Sequence, residues 1–175
     1  PLAAATTVYE GRAQDVSVYA QVDRTPGFER TLFGRATDFY NSEVALLQSS
    51  RAAPGGKPVV IDRPSDAQER FWRQRLLLQL RSDWKVGART WPKGSLLVTD
   101  AAAYLRGERR FSALFTPTAT RSLAGFTTTK SQVLLSVLDL PLTLYRTFVV
   151  EARFGFNRMT LPLFLAALAK QTFLG

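Results

Sequence analysis

Apolar and polar residues alternate through most of the first 139 positions, the period of a β-strand with one face buried. In VSVYAQV, Val16, Val18, Ala20 and Val22 share one face while Ser17, Tyr19 and Gln21 share the other, which predicts a half-buried strand. Pro26-Gly27 marks a turn, and TLFGRATDFY and EVALLQ then flank Asn41-Ser42 as the arms of a hairpin. SSRAAPGGKP, residues 49–58, reads as a loop of small residues. PVVID is a short strand, and RPSDAQER a connection with room for one helical turn over Asp66–Arg70. RLLLQLRSDW, residues 75–84, carries the strongest strand signal, a continuous apolar centre. KVGARTWPKG reads as a turn region, SLLVTD as a strand and AAAYL as one or two helical turns, with FSALFTP and SQVLLSVLD as further strands. About eight short strands separated by turn signals predict an antiparallel all-β architecture; sandwich, barrel and propeller all fit the pattern.

The pattern changes after Asp139. LPLTLYRTFVVEARFGFNRM is a mostly apolar run interrupted by arginines, read as a connection. TLPLFLAALAKQTFLG then starts with Thr160 at a helix N-cap position and Pro162 in the first turn, both helix-start signals. Leu161, Leu163, Phe164, Leu165, Leu168, Phe173 and Leu174 cover most faces of that helix, as expected for a segment deeply buried or in lipid. No apolar stretch reaches the roughly 18 residues of a complete span, so the helix reads as truncated. The start at Pro1, without an initiator Met or a signal-peptide pattern, reads as that of a fragment or a processed chain.

Composition narrows the chemistry. The chain has no His and no Cys, which excludes a Ser-His-Asp triad, a Cys-His pair, an HExxH zinc site and any disulfide within these 175 residues. The net charge of +9 suits an anionic partner, but the 23 Lys and Arg are dispersed and Glu108 interrupts RGERR, the densest cluster. With no aromatic-basic platform, the charge reads as a solvated surface in preference to a nucleic-acid site. Asp83, Asp100 and Asp139 each close a strand or open a turn, a structural position for Asp. Trp72, Trp84 and Trp91 read as core packing before they read as a ligand groove.

Two family resemblances follow from longer stretches. LRSDW, the G-x-x-W-P-x-G-S-L-L turn and strand, and LF-x-P followed by RSLAGF-x-x-T resemble the β-propeller region of prolyl oligopeptidase family serine peptidases, over residues 1–139. The resemblance implies blades of four antiparallel strands, about two of them here, from a cylinder that covers an α/β-hydrolase domain and limits substrates to short peptides. That family's nucleophile sits in a G-x-S-x-G elbow followed by Asp and His. GRATDF and RSLAGF lack the elbow spacing, so no catalytic residue carries over. The tail, LYRTFVVEARFGFNRMTLPLFLAALAKQTFLG, resembles the amino-terminal membrane region of zinc metallopeptidases that include the CAAX prenyl proteases, through EARFGFN at Glu151–Asn157. The zinc motif of those proteins has no counterpart here, so no metal ligand or cofactor carries over.

The expected architecture is therefore mainly β: residues 1–139 as a partial propeller, and residues 140–175 as a loop and an apolar helix of different origin, joined near Leu138 to Pro141. The expected function is that of a non-catalytic propeller piece whose parent role is to gate peptide access. The alternatives are a segment that enters the membrane in a metallopeptidase, and a stand-alone binding module with a basic surface. Expected partners are the remainder of the propeller and its hydrolase domain, further copies of the chain through open strand edges, and a membrane through residues 160–174, with Arg153 and Arg158 reaching lipid headgroups. Localisation follows whichever parent dominates, cytoplasmic for the propeller or membrane-associated for the tail.

Overall fold

The computed structural model describes residues 7–47, 56, 58–151, 153, 160 and 162–167, and within them the chain is mainly antiparallel β. The first sheet contains β1 (Ser17–Asp23), β2 (Arg30–Ala36), β3 (Ser42–Leu47) and β4 (Pro58–Val60) in sequential order. The second is built from β5 (Gln68–Trp72), β6 (Arg75–Gln79), β9 (Leu96–Asp100) and β10 (Ser112–Phe115), again in sequential order. Between β6 and β9 the chain makes a separate ribbon, β7 (Trp84–Val86) and β8 (Arg89–Trp91). A third sheet contains only β11 (Arg121–Thr128) and β12 (Val133–Asp139). Two sheets of four sequential strands followed by a pair match about two propeller blades and the opening strands of another.

The continuous apolar run of β6 has a direct physical reason. Leu76, Leu77 and Leu78 are each 0% exposed, because β6 lies between β5 and β9 and is covered on both faces. Leu76, Leu78 and Leu80 point to one side, where they join Leu32, Val44 and Leu46 of the first sheet and Leu97 of β9 in one cluster. Leu77 pairs with Val98 on the opposite face. A strand buried on both faces loses the polar alternation of a half-buried one.

The cluster is closed by aromatic residues. Phe111 packs edge-on against Trp84, Trp91 and Tyr104, at centroid distances of 5.1, 6.4 and 5.8 Å. Tyr104 lies on α1 (Ala101–Leu105), which Asp100 caps by accepting a bond from the Ala103 N–H at 2.9 Å. The β7–β8 ribbon turns through Gly87 at φ +59°, with Val86 paired to Arg89, so a left-handed backbone falls where glycine supplies it. The β5–β6 turn instead places Arg73 at φ 52°, and its carbonyl accepts a bond from the Arg30 guanidinium.

Several expectations change. β1 is a strand but not half-buried: Val16 is 58% exposed, Val18 47% and Val22 55%, and no residue of β1 joins the core cluster. Gln68–Arg70 are strand residues and not a helical turn, drawn into pairing with β6 from Gln68↔Gln79 to Trp72↔Arg75. RSLAGFTT, which shows no clean alternation, is the longest strand, β11. The loop expected from residue 140 onward is helical over α2 (Leu140–Tyr145), with Pro141 in its first turn, and continues as π-helix over Arg146–Glu151. A further helical stretch, α3, covers residues 162–167, and the Phe164 N–H bonds the Thr160 carbonyl at 2.9 Å. Of its described apolar side chains Phe164 is buried, against Phe148 at 5.4 Å, whereas Leu163 and Leu165 are exposed. The loop at 49–55 and most of EARFGFN lie outside the described residues.

The chain separates into two compact units, residues 1–117 with 127–134, and residues 118–126 with 135–175. The tip of the β11–β12 hairpin belongs to the first and its stems to the second. No helix among the described residues is long and apolar enough to cross a membrane.

The two-sided burial of β6 fixes where the chain is least tolerant. Leu78→Ala is expected to lower the unfolding free energy by about 2–5 kcal/mol, while Val18→Ala on exposed β1 costs under about 1 kcal/mol. Urea denaturation followed by circular dichroism reads both, and equal midpoints for the two variants would contradict this placement of the core.

Candidate functional site

An open groove of about 710 Å³ lies in the first unit, between β5, β6, β9 and β10 on one side and the hairpin tip on the other. Its walls are Trp72, Arg75, Val98, Ser112 and Leu114 on the sheet, and Ser131 to Leu134 on the tip. The register explains the sheet wall: Val98 is opposite Ser112 across β9–β10 and opposite Leu77 across β9–β6, so their side chains share a face. Trp72 holds the tip in place, its indole N–H donating to the Thr129 carbonyl at 2.8 Å. The tip is itself closed by the Thr129 N–H bonding the Gln132 carbonyl at 2.8 Å.

Chemically the groove is mixed polar and apolar. It offers one guanidinium, two hydroxyls, an amide and an apolar floor, without a pair of carboxylates for acid-base work and without a base beside either serine. Among the described residues no group of three or more Asp and Glu is placed to hold a metal ion.

The strongest electrostatic arrangements lie elsewhere and hold strands together. Arg35 of β2 faces Glu43 of β3 across the hairpin and makes a two-pronged contact, Nε to Oε1 at 2.9 Å and an Nη to Oε2 at 3.0 Å. Its remaining arm reaches Asp15 at 2.9 Å. The Arg12 N–H, at 2.7 Å, and then Arg35 hold the Asp15 carboxyl below its ordinary range. Glu43 is held low chiefly by its bonds to Arg35. A second clamp pairs buried Arg63 with Glu69 at 2.6 Å. Arg63 also donates to the Pro64 carbonyl and the Ser42 hydroxyl. Burial raises Glu69 despite Arg63 beside it, and burial likewise pushes Tyr104 up to about 12.

The residues singled out in the sequence fall into distinct places. Asp83 accepts from the Lys93 N–H at 2.7 Å and closes the base of the ribbon; Asp100 caps α1. Asp139 makes an ion pair with Arg121 at 2.5 Å across the hairpin stem and leaves the start of α2 without a side-chain cap. Trp91 is core and Trp84 packs against it, but Trp72 parts from them to line the groove. Arg109 of the RGERR cluster lies over the Tyr104 ring at 4.2 Å and pairs with Asp62 at 2.8 Å. Arg153 is helical and exposed, and Arg158 lies outside the described residues. Neither Arg clamp was visible in the sequence. A hint existed, since Arg35 and Glu43 are equidistant from the centre of the turn at residue 39, but it becomes readable only once the register is known.

Comparison with known proteins divides along the same lines. The post-proline cleaving enzyme from Rickettsia typhi superposes with a TM-score of 0.70 at 26% identity, over 79% of this chain and 20% of that one. The uncharacterized peptidase y4nA of Sinorhizobium fredii is 28% identical over 150 residues, 82% of this chain and 20% of that protein. The CAAX prenyl protease 1 homolog of Arabidopsis thaliana is 50% identical over 38 residues, 22% of this chain and 9% of that protein. The family described as CAAX prenyl protease N-terminal, five membrane helices, matches residues 99–175. Residues 1–139 thus resemble the propeller region of prolyl oligopeptidase-type peptidases, and residues 141–175 the amino-terminal region of CAAX-type metallopeptidases. The chain spans about a fifth or less of the length of each of these relatives. The match to a helical family also takes in residues 99–139, which here include α1 and strands β10–β12.

The paired carboxylates set the acid response. Asp15 and Glu43, with folded pKa values depressed, contribute stability that is present above their unfolded values of about 4 and lost as pH falls through the folded ones. Glu69 works in the opposite sense, because its raised folded value favours proton uptake in the folded state first. Urea midpoints are therefore expected to fall as pH drops below about 4, and to do so less steeply in Arg35→Met, where the clamp is gone. A variant with the parent slope would show that the clamp does not govern this response.

Proposed function

We propose that residues 1–139 act as a non-catalytic part of a β-propeller that restricts which peptides reach a hydrolase active site contributed by other residues of a longer protein. The observation that carries this reading is the superposition on a post-proline cleaving enzyme over 79% of the chain, by strands that end in an open pair. The groove beside Trp72 supports a role in contact and positioning, since its lining offers polar and apolar surface without an acid-base pair. The chain itself does not hydrolyse peptides in this reading. The test is a graft: residues 7–139 replace the matching fifth of the Rickettsia typhi enzyme, and cleavage of a short proline peptide is compared with cleavage of casein. Retained peptide turnover with casein excluded supports gating; equal attack on both removes it. Turnover by the purified 175-residue chain alone would remove the non-catalytic part.

A second reading is favoured by the 50% identity over 38 residues to the CAAX prenyl protease 1 homolog. In it the tail associates with a membrane surface, with Asp139/Leu140 as the join, where strand gives way to helix. Leu142 is 66% exposed, Tyr145 57% and Leu163 59%, with the cation of Arg153 nearby in sequence. Arg158 would add a second cation. Flotation with anionic phosphatidylserine vesicles is expected to carry the chain upward and to weaken in Arg153→Glu; a chain that stays at the bottom of the gradient contradicts the reading.

A further inference from the structure

We infer that β12 is a self-pairing edge, through which two copies of the chain join antiparallel about a two-fold axis at Ser136. The argument begins with strand count. The two main sheets each contain four strands, while β11–β12 contains two. A two-stranded hairpin is marginal by itself in water, and a third or fourth strand gives it a stable sheet. β12 pairs with β11 on one side and shows no other strand among the described residues.

Its surface is that of a strand missing a neighbour. Leu134 is 49% exposed, Leu135 36%, Val137 43% and Leu138 44%. From Ser131 to Leu138 there is no charge, no Pro and no Gly. Those residues are the usual means of blunting an edge strand against its own kind. The other edges differ. β4 has three residues and begins with Pro58, β10 has four, and β5 carries Glu69 and Arg70. β1 is also uncharged from Val16 to Val22, but it already belongs to a four-stranded sheet.

The sequence of β12 suits pairing with itself. With Ser136 opposite its own copy, Leu134 faces Leu138 and Leu135 faces Val137, so the four central apolar residues meet apolar ones on the same face, and only Val133, at the strand end, meets the carboxylate of Asp139. A shift of the axis to residue 135 sets Leu134 against Ser136, and one to residue 137 sets Leu135 against Asp139. Asp139 is already paired with Arg121 within its own hairpin, and the central axis places the two Asp139 residues at opposite ends. The product is a four-stranded sheet, β11-β12-β12-β11, with the strand number of the other two.

The absence of Cys from the chain makes the test direct. Ser136→Cys introduces a single thiol on the axis, where directly opposed residues have Cα atoms about 4.5–5.5 Å apart, within reach of a disulfide. Mild oxidation of the full chain is expected to give a covalent dimer from Ser136→Cys, and none from Ala20→Cys at the centre of β1. Sedimentation equilibrium of the unmodified chain is expected to show a reversible dimer, weakened about tenfold in Leu135→Lys. Cross-linking of Ala20→Cys alone would assign the contact to β1 and overturn the inference. A chain that sediments as a monomer, with Ser136→Cys unlinked, would also overturn it and leave the edge to a segment of the same chain.

Discussion

The burial of β6 on both faces is the constraint on which the rest depends. Leu76 and Leu78 tie the second sheet to the first through Leu32, Val44 and Leu46, while Leu77 supports the face that becomes the groove wall. A single strand thus belongs to two layers, and its apolar run cannot be interrupted without opening one of them. The Arg35 and Arg63 clamps act after that constraint. They hold the ends of β2, β3 and β5 by charge, where apolar cover thins out.

The strands were legible because period-two alternation and Gly or Pro punctuation are local signals. The fold class, the ribbon turn at Gly87 and the structural roles of Asp83 and Asp100 all follow from such signals. What escaped was set by non-local pairing. Gln68–Arg70 have no strand preference of their own and became β5 because β6 offers them a full register. β1 reads as half-buried from Val16, Val18 and Val22, yet burial depends on what lies above a strand, and no residue of β1 joins the core cluster. Trp72 is indistinguishable from Trp84 and Trp91 by composition; only the bond to Thr129 separates it. The helical start at Leu140 was carried by Pro141, a signal outweighed by the Arg residues that follow.

The family match that begins at residue 99 runs across the point where the physical character of the chain changes. Over β12, up to Asp139, the backbone pairs with a neighbouring strand, and over Leu140–Glu151 it is helical. The first mode needs neighbours and leaves edges, whereas the second needs none and leaves apolar faces. β12 and α2 are adjacent in sequence and illustrate both, the former with an unpaired edge and the latter with exposed Leu142 and Tyr145.

The β7–β8 ribbon has a bearing on how such a blade tolerates change. β6 and β9 pair directly with each other, and the chain leaves and re-enters the sheet at one point, where the Leu80 N–H bonds the Ser95 carbonyl and the Gly94 N–H bonds the Leu80 carbonyl. The excursion from residue 81 to residue 93 is therefore stitched shut at its base, like a pocket sewn onto finished cloth. Its length and tip are free of the sheet's register, while Trp84, Val86 and Trp91 bind it to the core and Ser82 donates to Asp66. Variation among proteins of this architecture can accumulate in the excursion while the strands beneath it remain unaltered.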